Sequence, residues 1–411
     1  MINSLLVGIN LPFLPIHKVE EYLNELKSLA ETAGAVEVER IIQKRDKIDP
    51  AYFIGEGKAK EIGELCKKKK IKLIIFDEEL SPSQVKNLEK VTNVKVIDRT
   101  GLILDIFAKR ARTREAKMQV SLAQYNYLLP RLTGAWEHLS RQAGGIGTRG
   151  VGETQLETDR RVIRDRIRKL SSDIKKLHKR REVQSRRREN AFIVAVVGYT
   201  NVGKTTLLNA LTKSKLFSED KLFATLDTTF RRMKSKEYLR EILIVDTIGF
   251  IRKLPLSLVA SFRSTLSEIK NGDLILNIVD ISHPEFEEQV SVVKKSLTEL
   301  ECGDIPLINV FNKIDVVPEP FLERARGLYP DSIEISAKTK KNLDILIKEI
   351  VKEAERSFDG IIVKIPYQKI DKYNQFKDKI TILKEEYLDK YLKANVRGRK
   401  EDLKALTKIF K

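Results

Sequence analysis

Short apolar runs alternate with amphipathic stretches over the first hundred residues. Leu5 to Ile9, Ala35 to Ile42, Lys72 to Phe76 and Val94 to Ile97 read as strands, while apolar positions at helical spacing cover Val19 to Leu29, Lys58 to Cys66 and Ser81 to Val91. Alternation of that kind builds a sheet flanked by helices and predicts an N-terminal α/β domain over residues 1–100. From 101 to 190 the pattern turns helical, broken once by Gly144-Gly145-Ile146-Gly147-Thr148-Arg149-Gly150-Val151-Gly152. Two long helices joined at that loop are the simplest arrangement, a hairpin with a glycine-rich basic tip. On the second helix Leu156, Ile163, Ile167, Leu170, Ile174 and Leu177 keep the seam of a coiled coil, and Met118, Leu122, Tyr125 and Leu129 of the first can face it.

Strand signals return after residue 190 at Phe192 to Val197, Glu241 to Val245, Leu274 to Val279, Leu307 to Phe311 and Ile333 to Ile335. Helical stretches fall between and after them, near Lys204 to Leu211, Leu258 to Ile269, Glu285 to Leu297 and Leu343 to Ala354, so residues 191–356 predict a mostly parallel sheet covered on both faces. A strand-like run, Ile361 to Ile365, opens a lysine-rich remainder, 357–411, that reads as a small α+β domain.

Composition narrows the class. A chain of 411 residues with 42% hydrophobic and 33% charged positions is a multidomain globular protein, outside the range of disordered chains. Lys and Arg outnumber Asp and Glu by 77 to 58, a formal charge of +19, which favours a polyanionic partner. The basic residues concentrate on the second helix, where Arg160, Arg161, Arg164 and Arg168 lie among few acids, and with Arg141 and Arg149 near the tip they are the candidate RNA contacts. Cys66 and Cys302 are far apart, which suggests neither a disulfide framework nor a zinc site and fits a reducing compartment. Met1 to Leu14 lacks a basic leader and is too short to span a bilayer, so a cytoplasmic location with no membrane span is expected.

One segment carries specific chemistry. Gly198-Tyr199-Thr200-Asn201-Val202-Gly203-Lys204-Thr205 follows a buried strand and opens a helix. Glycines at its ends let backbone N–H groups turn inward around phosphates, Lys204 neutralises the β and γ oxygens, and the Thr205 hydroxyl can ligate Mg2+. A bare glycine turn would share the pattern, but three later segments repeat its placement at strand ends. Asp246-Thr247-Ile248-Gly249 sets an acid beside the magnesium shell and an amide near the γ-phosphate. Asn312-Lys313-Ile314-Asp315 offers a carboxylate able to accept both N1–H and N2–H of guanine, which selects GTP over ATP. Ser336-Ala337-Lys338 can close over the base with backbone amides.

Between the loop and Asp246, the segment Phe223-Ala224-Thr225-Leu226-Asp227 sits in a polar connection suited to ordering around the γ-phosphate. Thr225 is the candidate for a second magnesium hydroxyl, with Thr228 and Thr229 left open by spacing. Phe250 follows Gly249 where a Ras-like site carries a water-orienting glutamine, so slow unaided hydrolysis is expected. The reacting set is then Lys204, Thr205, Thr225 and Gly249. Asn201 can help hold a monovalent cation such as K+, or simply stabilise the loop.

The sequence resembles the HflX family of translation-associated GTPases over essentially its whole length. The distinguishing stretches are Phe53-Ile54-Gly55-Glu56-Gly57-Lys58, Ile97-Asp98-Arg99-Thr100, Ala116-Lys117-Met118-Gln119-Val120, and the run from Gly147 to Arg161. The resemblance implies a cytoplasmic, ribosome-stimulated GTP hydrolase that cycles between GTP and GDP, binds the large ribosomal subunit and ribosomal RNA, and splits or rescues stalled ribosomes. It further implies nucleotide contacts over Gly198 to Thr205, Phe223 to Asp227, Asp246 to Gly249, Asn312 to Asp315 and Ser336 to Lys338, with Thr205 and Thr225 on Mg2+. Thr228 departs from the proline of many relatives. The Gly55-Glu56-Gly57 turn reads as structural, a monomer is expected, and the competing class is an RNA-remodelling module that holds GTP as a structural ligand.

Overall fold

The computed structural model describes residues 1–132, 151–185, 191–212, 222–223, 229–233, 241–253, 268–377 and 379–410, with side chains of the long helix described over 157–177. The chain divides into two compact units. Met1–Leu177 groups with Asp220–Leu226 and Lys253–Arg263, and His178–Glu219, Asp227–Arg252 and Ser264–Lys411 form the second.

In the first unit, β1 (Ile2–Asn10), α1 (Ile16–Ala33), β2 (Ala35–Lys44), α2 (Glu56–Lys69), β3 (Leu73–Phe76), α3 (Pro82–Thr92) and β4 (Lys95–Asp98) alternate as expected. The strands form one parallel sheet in the order β2-β1-β3-β4. Leu5, Leu6 and Val7 are all buried, because helices cover both faces, and this is why the central strand reads as a continuous apolar run. Helix α1 turns Val19, Leu23, Leu26 and Leu29 inward, while α3 starts at a reciprocal cap between Ser81 and Gln84.

The helical region is more segmented than a simple hairpin. Helix α4 (Arg99–Arg110) follows β4 directly, crosses the expected boundary at residue 100, and buries Leu102, Ile103, Ile106 and Phe107. Helix α5 (Arg114–Leu128) begins afresh where the Thr113 hydroxyl accepts the Ala116 N–H, a side-chain cap that separates two helices expected as one. Helix α6 (Val151–Ser185) includes Val151 and Gly152, so the end of the glycine-rich stretch is helical. Its seam is borne out in part: Ile174 is buried, and Ile163, Ile167, Leu170 and Leu177 are half-buried.

Asp98 organises the end of this sheet. Its fully buried carboxylate accepts hydrogen bonds from Gly101 N–H at 2.8 Å, Tyr127 Oη at 2.8 Å, Leu80 N–H at 3.1 Å and Arg131 Nη2 at 2.9 Å. Next to it, buried Arg99 pairs with Asp77 and Glu25. Removing one member of such a buried network leaves charges without their partner. Asp98→Ala is therefore expected to cost about 3–5 kcal/mol, read as lost hydrogen-exchange protection across β3, β4 and α4; unchanged protection would contradict this role.

The second unit has a six-stranded sheet in the order β10-β9-β8-β5-β7-β6. Its strands are β5 (Phe192–Gly198), β6 (Thr229–Met233), β7 (Ile242–Asp246), β8 (Leu274–Asp280), β9 (Leu307–Asn312) and β10 (Ile333–Glu334). Only β6 runs antiparallel, pairing Thr229 opposite Asp246. Helices α7 (Lys204–Thr212), α8 (Phe286–Glu299), α9 (Glu319–Leu328) and α10 (Leu343–Ser357) lie between and after the strands. Residue 358 onward forms a three-stranded antiparallel sheet, β11 (Phe358–Pro366), β13 (Tyr391–Arg399) and β12 (Ile380–Tyr387) in that spatial order, with α11 (Ile370–Asn374) and α12 (Lys400–Phe410). Its core joins Val363, Ile365, Leu392, Val396, Leu403 and Leu406.

Candidate functional site

The carboxyl ends of β5, β7, β8 and β9 meet at one edge of the six-stranded sheet, the place where open parallel sheets hold ligands. Between the end of β5 and the start of α7 the loop from Gly198 to Lys204 turns back on itself. Gly198 and Gly203 have φ of 148° and 92°, and a Cβ would stand 2.3 Å from Ile278 O at the first and 2.4 Å from Asn312 Nδ2 at the second. No other residue type fits either position without moving backbone or a buried amide. Asn201 also takes a left-handed conformation, φ 62°, and is exposed, which suits an asparagine stabilising the turn.

Lys204 is buried at the helix start and donates to Tyr199 O at 2.6 Å and Gly198 O at 3.1 Å. Burial pushes its ammonium down to about 8, with the Asp246 carboxylate opposing that fall. A buried cation disfavoured in this way gains most from an arriving anion. Thr205 is half-buried in the same first turn of α7.

The segment after β7 lies on this loop. Thr247 Oγ1 donates to Val196 O at 2.7 Å, tying the end of β7 to β5. Phe250 N–H donates to Gly198 O at 3.0 Å, Thr200 N–H donates to Phe250 O at 2.8 Å, and Tyr199 Oη accepts Arg252 N–H at 2.8 Å. A Cβ on Gly249 would stand 2.9 Å from Thr200 Cγ2, 3.0 Å from Lys204 Nζ and 3.2 Å from Thr200 Cα, so a side chain there would press on the loop. Ile248 is buried, and the Phe250 ring is buried as well, held in packing rather than turned toward a reacting water.

Asn312 joins three motifs. Its Nδ2 donates to Val202 O at 2.8 Å and its Oδ1 accepts Ala337 N–H at 2.9 Å, bracing the β9 end against the phosphate loop and the loop after β10. Lys313 adopts φ 70° and places Nζ 2.6 Å from Asp280 Oδ2. Ile314 is buried, while Asp315 is exposed with its carboxylate outside the core. Ser336 is buried and accepts Thr339 N–H, and Lys338 is exposed.

The edge thus gathers Gly198 to Thr205, Asp246 to Gly249, Asn312 to Asp315 and Ser336 to Lys338. The Phe223 ring is buried edge to face against Phe107 of α4, centroids 4.7 Å apart. Ala224, Thr225, Leu226, Asp227 and Thr228 lie outside the described residues, as do Arg141 and Arg149. Thr229 opens β6, so its backbone belongs to the sheet. On α6, Arg161, Arg164 and Arg168 are exposed and Arg160 is half-buried. Two ties at this edge were missed from sequence: the Tyr199 hydroxyl to Arg252 N–H, and Asp280 to Lys313, whose signal was an acid closing a buried strand beside Asn312.

Comparison with known proteins places the chain in a family. Residues 193–313 match the family described as 50S ribosome-binding GTPase, 20–108 match the GTP-binding GTPase N-terminal region, and 110–188 match the GTP-binding GTPase middle region. The chain is 51% identical to the GTPase HflX of Flavobacterium psychrophilum over 313 residues, 76% of this chain and 75% of that one. It is 46% identical to the GTPase HflX of Caldanaerobacter subterraneus over 90% of this chain and 86% of that one. The chain belongs to the HflX family of GTPases. The HflX of Escherichia coli is 43% identical over 85% of this chain and 82% of its own. A GTP-binding protein from Sulfolobus solfataricus, solved with GDP, is 25% identical over 87% of this chain and 99% of its own, with a TM-score of 0.46. As an HflX GTPase the protein is a GTP hydrolase with a P-loop fold, and among its described residues no helix is long and apolar enough to cross a membrane.

Proposed function

We propose that this GTPase binds the large ribosomal subunit through ribosomal RNA, as a cytoplasmic monomer, and couples GTP binding and hydrolysis to ribosome splitting or the rescue of stalled ribosomes. The observation that carries the reading is the match of residues 193–313 to a 50S ribosome-binding GTPase family, joined to N-terminal and middle regions of the same family in one chain. An excess of 77 basic over 58 acidic residues supports a polyanionic partner.

In this reading the N–H groups at the start of α7 and the Lys204 ammonium hold the triphosphate, and Asp315 takes the guanine edge between Asn312 and Ser336-Ala337-Lys338. Thr205 and Asp246 supply hard oxygen donors beside the phosphates, which fits Mg2+, with Thr225 as a further hydroxyl. When bound, Mg2+ neutralises charge on the β and γ oxygens. Asn201, exposed at the tip of the loop, is the candidate neighbour of K+. Gly249 senses the γ-phosphate through its amide. With Phe250 buried and no glutamine in its place, hydrolysis is slow until the ribosome contributes.

Sedimentation with purified subunits tests the reading. The protein should pellet with large subunits in a non-hydrolysable GTP analogue, pellet less in GDP, and hydrolyse GTP at least about tenfold faster when large subunits are present. Neither binding nor rate responding to large subunits would end the ribosome reading.

A further inference from the structure

The helical part of the first unit carries a groove that the nucleotide site does not use. It lies between the start of α5 and the middle of α6, has a volume of about 490 Å3, and is lined by Arg112, Arg114, Lys117, Met118, Ser121 and Leu170. The three cations are exposed, whereas Met118, Ser121 and Leu170 are half-buried, so the groove has a basic rim and a mainly apolar floor.

Charge around the rim is one-sided. Residues 109–117 contain five cations and one acid, and that acid, Glu115, is buried and accepts a hydrogen bond from Gln119 on its own helix. On α6 the acids flanking Leu170 are already engaged: Asp165 by Arg168 at 3.4 Å and Asp173 by Lys176 at 4.0 Å. Arg166 extends the basic edge and donates to Tyr125 Oη at 2.9 Å.

A double helix would meet such a rim with phosphates alone and leave the thioether and isobutyl floor unfilled. An unstacked nucleotide fills both parts, since it joins a phosphate to a flat base whose face can lie on an apolar floor while its polar edge stays toward solvent. We infer that this groove receives one splayed nucleotide of a single-stranded RNA segment, phosphates on Arg112, Arg114 and Lys117, base against Met118 and Leu170. The inference rests on the RNA reading above and gives it a specific point of contact on the described surface.

Fluorescence anisotropy of the full chain with a short, mixed-sequence, single-stranded RNA tests it. Joint substitution Arg112→Ala, Arg114→Ala and Lys117→Ala alters only exposed side chains. It should weaken binding about tenfold or more and flatten the log-affinity against log-salt slope by about 2, from about 0.7 for each of three phosphate contacts. Leu170→Gln, or Ser121→Leu to fill the groove should the first disturb helix packing, should weaken single-stranded RNA and leave a blunt RNA duplex unaffected. Unchanged affinity and slope in the triple variant would overturn the groove, as would tighter binding of the duplex, or equal competition by polyglutamate, which would mark a general polyanion patch. Sedimentation separates the two levels. Wild-type protein that ignores large subunits defeats the ribosome reading, whereas normal sedimentation with a silent triple variant defeats the groove alone.

Discussion

Lys204→Ala is expected to weaken GTP binding about 30- to 4,000-fold, the range corresponding to about 2–5 kcal/mol for truncating one partner of a buried charge pair. The reason lies in the free site. The Lys204 ammonium is buried, held by two carbonyl oxygens of its own loop, and pushed down to about 8. Its charge is thus unfavourable until an anion arrives, so the interaction with the triphosphate is concentrated in the bound state. For the same reason alanine should leave the fold in place: it removes a disfavoured buried charge and two hydrogen bonds, while Asn312 and the β5 ladder still position the loop. Calorimetric titration with GTP, beside a thermal melt of the variant, reads both. Near-normal affinity with an intact melt would show that the loop amides hold the phosphates without the lysine.

The central parallel strands of both sheets were legible because they are buried on both faces. Uninterrupted runs such as Leu5 to Ile9 and Phe192 to Val197 have no other comfortable place in a folded chain. The strands β12 and β13 were not legible, since in Tyr391 to Arg399 every second side chain faces outward and carries charge or polarity, so the apolar half, Leu392, Ala394 and Val396, looks sparse. Strand β6 has only Met233 buried and exists because β7 offers it an edge. Helix α9 buries just Leu322 and Ala325.

The site shows a similar division. The turn from Gly198 to Lys204 could be read from residue order, since close approach to Ile278 O and Asn312 demands its two glycines. What order does not reveal is how the loops are tied together. Asn312 bridges Val202 and Ala337 across more than a hundred residues of chain, and Tyr199 holds Arg252 N–H through a hydroxyl that looks like loop filler in the sequence. Such ties depend on three-dimensional proximity. The stretch Ile97-Asp98-Arg99-Thr100, noted first as a family marker, proves to be a buried polar knot at the sheet's end. Its distinctiveness there is structural.

Asp315→Asn should lower GTP affinity about 100-fold or more and raise that for xanthosine triphosphate, reversing the base preference. Guanine presents two parallel donors, N1–H and N2–H, and a carboxylate can accept both. An asparagine amide accepts one and opposes the other with its own N–H, but it complements xanthine, which carries a carbonyl where guanine has its amino group. Asp315 is exposed beside buried Ile314, while Lys313 is anchored to Asp280 and Asn312 to two backbone groups. The substitution therefore changes the recognising group without disturbing the backbone that presents it. Competition binding of the two triphosphates, expressed as a ratio, removes any general loss of affinity. An unchanged ratio at undiminished affinity would mean that the purine is read elsewhere, and an unchanged ratio with both affinities lowered would assign Asp315 to loop stability.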